Sequence, residues 1–120
     1  MAKRRGFAKS RRLTRDSEFR RVRTEGRSVR GDMLTLGFLH NAEPAVPSRA
    51  GFVTSRRVGG AVLRNRTRRR FREIFRKHQN EIREGIWIVT IASRRAARAS
   101  FRAVEDEWLR LGQRASIFAT

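Results

Sequence analysis

The sequence predicts a single α+β sandwich, and three observations carry that prediction. Residues 86–92 (IWIVTIA) form a near-continuous apolar run of strand length, the pattern of a strand buried on both faces in the middle of a sheet. Residues 61–80 place Leu63, Thr67, Phe71, Ile74, Phe75 and His78 on one helical stripe. Helical and strand-like stretches follow one another in the order αβ…βαβα, with no internal repeat and no linker to divide 120 residues.

The chain opens with a basic arm, residues 1–12, carrying Lys3, Arg4, Arg5, Lys9, Arg11 and Arg12 and no acid. Arms of this kind order on anionic surfaces. A single α+β domain is expected over residues 13–120. Leu13 staples a short helix over residues 17–25, with Asp16 as N-cap, Phe19 and Val22 on one face, and Gly26 as a left-handed C-terminal stop. Residues 28–32 read as a turn. A strand follows over 33–40, with Leu34, Leu36 and Phe38 alternating onto one face. Pro44 and Pro47 mark residues 41–49 as a loop, and 50–55 as a second strand pairing with the first as a hairpin-like antiparallel unit. Gly59 and Gly60 break the chain before the central helix. After the apolar strand comes a second basic stretch, residues 93–99. Ser100 caps a last helix with Phe101, Val104, Trp108 and Leu111 inside and Glu105, Asp106 and Glu107 as its solvated side.

Thirty Lys and Arg residues against eleven acids give a formal net charge of +19. Repulsion on that scale disfavours the isolated compact state and calls for an anionic partner. Nearly all the cations are arginines, whose planar fork suits bidentate phosphate contacts and stacking on bases. The central helix concentrates them: opposite its apolar stripe stand Asn65, Arg69, Arg72 and Arg76, flanked by Arg66 and Arg68, with Glu73 the only acid between Ser55 and Gln79. One element therefore anchors in a core and presents a fixed ridge of guanidinium groups, the footprint of a nucleic-acid-binding helix.

Other functions lack their residues. Cysteine is absent, so neither disulfides nor thiolate-bound zinc contributes. No apolar run is long enough for a bilayer, and no membrane partner is expected. No secretory signal follows the basic start, so a cytoplasmic location is expected. Only His40 and His78 could serve acid–base work, the acids are scattered, and no phosphate loop or nucleophile elbow is present. His78, on the apolar stripe, reads as a packed helix-end histidine. No catalytic or metal-binding residue is assigned. Without a helix-turn-helix or a dimerising heptad, DNA is not an expected partner.

The string RRVGGAVLRNRTRRRFRE, residues 56–73, resembles the signature of the protein subunit of bacterial ribonuclease P: a basic pair, a Gly-Asn-Ala-Val step, Arg-Asn-Arg, further basic residues and an Arg-Glu. The arm, Leu13, the Phe19 helix, Gly26 with Ser28, the IWIVTIA strand and the final helix occur in that family's order. The resemblance implies a two-layer sandwich of a four-stranded mixed sheet with three helices and a left-handed βαβ crossover, the fold of the second domain of a small-subunit ribosomal protein. A fourth strand would have to come from the region between Gly31 and Ser55. The resemblance also implies an endoribonuclease holoenzyme that matures the 5′ end of precursor tRNA, with catalysis and most of the magnesium (Mg2+) belonging to the RNA subunit and substrate. Carried over by position, Arg56, Arg57, Arg64, Asn65, Arg66, Arg68, Arg69 and Arg72 would bind the ribonuclease P RNA. Phe19, Arg23, Phe38 and Arg56 would line a cleft for the single-stranded 5′ leader of the precursor tRNA. Three positions depart from the family pattern: Arg23 where a second helix aromatic is common, Gly37 where a strand aromatic is, and Gly60 where asparagine precedes Ala61. The alternative is a small ribosomal protein that binds rRNA structurally.

Overall fold

The structure, a computed structural model, describes residues 8–119; Lys3, Arg4 and Arg5 of the basic arm lie outside them. Three helices, α1 (Asp16–Glu25), α2 (Ala61–His78) and α3 (Phe101–Arg114), pack on a mixed sheet of β1 (Arg27–Arg30), β2 (Leu34–Leu39), β3 (Arg49–Val53) and β4 (Trp87–Ala92). The strand order is β1-β2-β4-β3, with β1/β2 and β2/β4 antiparallel and β3/β4 parallel. This is the α+β sandwich, four strands and three helices, that the sequence and its resemblance imply.

Two expectations about the sheet are corrected. The fourth strand is Arg27–Arg30, wholly outside the region from Gly31 to Ser55 and largely in the stretch read as a turn; with three exposed residues of four it lacks the apolar alternation that marks a strand. Nor do β2 and β3 form a hairpin, because β4 sits between them. The most apolar strand takes the interior position, and a parallel β3/β4 pair needs a crossover of a dozen or more residues, which α2 supplies.

The main core lies between the sheet and the helices α2 and α3. Phe71, Ile74 and Phe75 of α2 are fully buried, as their stripe predicts, together with Leu34, Leu36, Ile88, Trp108 and Leu111. Burying each such side chain contributes about 1.5–3 kcal/mol, which holds the helix and its cationic face at a fixed angle. Ser100 caps α3, its Oγ accepting from the Ala103 N–H at 3.1 Å.

The acidic run on α3 is not a solvated face; only Asp106 is exposed. Glu107 is 1% exposed, and its carboxylate accepts the backbone N–H of Asp32 (3.1 Å), Met33 (2.7 Å) and Leu34 (2.9 Å). Gly31 makes room for it, since a Cβ there would lie 2.6 Å from Glu107 Cδ. Glu105 pairs with Lys77 Nζ at 2.7 Å and with His78 Nε2 at 2.9 Å. His78 stacks on Trp108, so it is the packed helix-end histidine expected of its position.

On the other face of the sheet α1 covers one half, packing Leu13, Phe19 and Val22 on Trp87 and Val89. Arg15, not Asp16, is its N-cap residue, and Glu18 closes the first turn by accepting from the Thr14 N–H at 2.8 Å and the Arg15 N–H at 3.0 Å. Gly26 does end α1, but with φ −94° it is not left-handed. Glycine is needed there because a Cβ would overlap the Phe38 and Val22 carbonyls. The described end of the arm is tied down: Arg11 donates to the Ser48 carbonyl at 2.6 Å, and Arg12 bridges to Ala50.

These carboxylates make acid stability predictable. Burial alone would raise Glu18, but the Arg15 and Thr14 amides and then Arg49 outweigh it and hold the carboxyl below its usual range. At Glu105 burial is likewise outweighed, by Lys77 and His78. A carboxyl whose pKa is depressed on folding stabilises the fold above its unfolded value and loses that contribution as the pH falls through the folded value. The melting temperature is therefore expected to hold between neutrality and about pH 5 and to fall below about pH 4. The fall should be shallower in Glu18→Gln. A melting temperature flat down to pH 3 would contradict it.

Candidate nucleic-acid interface

Burial of the apolar stripe of α2 forces its arginines outward, and the structure sorts them into two groups. Arg69 and Arg72 are exposed and make no side-chain hydrogen bond among the described residues, and the same holds for Arg56 and Arg57 on the short turn before α2. The others are braced by the fold. Arg64 donates to the Gly59 carbonyl at 3.1 Å, and Arg66 to the Ala97 carbonyl at 3.0 Å. Arg68 is clamped between Thr54 Oγ1 (2.6 Å) and Asn65 Oδ1 (3.2 Å), which gives Asn65 a structural task within the ridge. A guanidinium has five N–H donors, so a braced arginine keeps others for a phosphate while losing little rotamer freedom on binding.

Arg72 carries the electrostatic signature of the site. Although the side chain is exposed, partial desolvation of its guanidinium first, and then the neighbouring Arg12 and Arg68, push it below its ordinary value. Arginine stays protonated in proteins, so the crowding persists as repulsion that an anion relieves. Gly60, with φ −69°, provides no side-chain cap for α2, and a Cβ there would meet no atom within 4 Å.

A groove runs across the uncovered half of the sheet. Its first basin, about 360 Å³, lies between α1 (Phe19, Val22, Arg23), the β1 residues Arg27 and Ser28, and a floor of Thr35, Gly37, Val53, Val89 and Ile91. A second basin of about 510 Å³ shares Thr35 and Ile91 and adds Arg30, Arg57, Arg94 and Arg95. Val53 and Ile91 are exposed there, although Ile91 belongs to the run expected to be buried throughout. Apolar and aromatic surface on the floor and arginines along the rims suit an extended single strand, whose bases stack for roughly 1–3 kcal/mol each while phosphates meet cations.

Of the residues expected in a leader cleft, Phe19 and Arg23 line this groove. Phe38 does not: it is 8% exposed in the main core, because alternation along β2 turns Gly37, not Phe38, toward the groove. Arg56 is also absent from the lining, where its neighbour Arg57 stands. Arg27, Arg30, Arg94 and Arg95 join the rim without any local signal for that role. The last two fall in the second basic stretch, but nothing in their own segment places it beside β1.

Fold and surface together define a basic α+β scaffold bearing an arginine ridge and an apolar-floored, arginine-rimmed groove. A family model, Ribonuclease P, matches residues 7–116, and the chain belongs to that family. It is 31% identical over 111 residues to the ribonuclease P protein component of Syntrophomonas wolfei, covering 92% of each chain. With the same component of Acidothermus cellulolyticus the identity is 42% over 101 residues, 83% of each. The RNase P protein of Staphylococcus aureus superposes with a TM-score of 0.83 at 27% identity, covering 92% of this chain and all of that one.

Proposed function

We propose that this chain is the protein component of ribonuclease P: it binds the catalytic RNA through the α2 ridge, holds the 5′ leader of precursor tRNA in the groove, and so promotes endonucleolytic 5′ maturation. The observation that carries the reading is the pairing of an arginine ridge with a groove of single-strand character on one small fold. A structural rRNA binder would have no need of the groove. In this reading the chain supplies no catalytic residue: its two histidines are both hydrogen-bonded within the fold, and Glu18, Glu105 and Glu107 are engaged with cationic side chains or backbone amides. Nor do its residues suit a magnesium ion. Among the described residues no three His, Asp or Glu side chains converge as a metal site, and the groove is rimmed with arginines, which repel a cation. Magnesium and hydrolysis in this reading belong to the RNA and its substrate. Phosphate contacts fix register without reading sequence, so readout of the leader sequence is weak.

Reconstitution tests the reading. Added to a bacterial ribonuclease P RNA at low magnesium, the protein is expected to restore cleavage of a precursor tRNA at its mature 5′ end. Cleavage by the protein without RNA would overturn the assignment of catalysis, and no stimulation at any protein concentration would overturn the assignment of function.

A further inference from the structure

The wall of the groove has a weak apolar anchor. Within α1 only Val22 is buried, and most of the helix is charged or polar. What holds its first turn is a polar lock. Glu18 spends one oxygen on the Thr14 and Arg15 amides and receives Arg49 Nη1 on the other at 2.8 Å. Arg49 also donates from Nη2 to the Arg12 carbonyl at 2.6 Å and lies 5.5 Å from the ring centroid of Trp87. The side chains of Arg49 and Glu18 are 18% and 13% exposed, so solvent screens the pair little.

The lock is connected to the groove by the pleat of β3. Arg49, Gly51 and Val53 alternate onto one face of the strand. Arg49 takes Glu18, Gly51 receives the adjacent Phe19, and Val53 forms groove floor. The approach at Gly51 is close: a Cβ there would lie 2.5 Å from two ring carbons of Phe19. Releasing Glu18 frees the turn that carries Phe19, and nothing else charged on β3 can replace Arg49. We propose that Arg49 and Glu18 are positioning residues that set the width of the leader groove by fixing the start of α1 over the sheet. The inference rests on the groove being the leader site.

The test compares precursor tRNAs with a long single-stranded leader and with a single-nucleotide leader, cleaved by the reconstituted holoenzyme. The readout is the ratio of their kcat/KM values. In Arg49→Met and in Glu18→Gln, which keeps an acceptor for the Thr14 and Arg15 amides, this ratio is expected to fall by about five- to tenfold, the low end of what one stacked base supplies. The double variant should be no worse than either single one, and Arg49→Lys should recover part of the loss. Affinity for the ribonuclease P RNA, carried by α2, should stay at the wild-type level. If Arg49→Met does not fold by circular dichroism, Glu18→Gln carries the test alone. The double variant Phe19→Ala/Arg23→Ala is the control on the groove. An unchanged ratio in the lock variants while that control lowers it would overturn the positioning role, as would an equal loss on both substrates. An unchanged ratio in the control would instead overturn the groove reading beneath it.

Discussion

Replacing Glu107 by alanine is expected to lower the unfolding free energy by about 3–5 kcal/mol, because three buried or half-buried backbone donors lose their acceptor together. The carboxylate is fully enclosed and fastens α3 to the turn between β1 and β2, taking the N–H groups of Asp32, Met33 and Leu34. An unsatisfied buried donor costs about 1–3 kcal/mol, and the void adds the loss of packing. Glu107→Gln separates the two contributions. Its remaining oxygen can keep Met33 and Leu34 while its amide faces the Asp32 N–H, so about 1–2 kcal/mol should be lost. Urea unfolding of both variants gives the comparison. A cost below about 1 kcal/mol for Glu107→Ala would mean that water serves the turn as well as the carboxylate does.

Replacing Arg56, Arg69 and Arg72 together by glutamine is expected to weaken binding to ribonuclease P RNA roughly a hundredfold near physiological salt, at about 1 kcal/mol per phosphate bound. These three are exposed and make no side-chain hydrogen bond among the described residues, so the change removes charge without disturbing the fold. For every phosphate no longer neutralised, the slope of log affinity against log salt should fall by about 0.7–0.9, giving a total of about 2–3. The same charge change at Arg20, Arg102 and Arg114, which lie on α1 and α3, is the control. Equal losses in the two triple variants would mean that net charge matters and the ridge does not. Retained affinity with an unchanged slope would place the RNA elsewhere.

What the sequence determined by itself is local. The apolar stripe of α2 predicts which of its residues are buried, and Phe71, Ile74 and Phe75 are. Excess charge and its concentration on the opposite side predict a cationic ridge, since a helix with one buried face must expose the other. The length and apolarity of IWIVTIA predict an interior strand, and β4 is flanked on both sides. The capping serine of α3 could likewise be read from its neighbours.

Tertiary structure decided everything that depends on a partner distant in the chain. Strand-length polarity at Arg27–Arg30 reads as a turn until β2 supplies hydrogen bonds to it. Pairing of β3 with β4 and not β2 follows from where α2 returns the chain, which no periodicity encodes. Glu107 looks solvated within its helix, because the three amides that justify its burial come from more than seventy residues earlier. Family resemblance puts Phe38 in the groove although the pleat gives that place to Gly37, and Arg94 and Arg95 reach the groove only because the sheet brings Arg30 beside them. Periodicity reports which side of an element is apolar, whereas the identity of what covers that side, and which polar groups find partners there, is settled only when the whole chain closes.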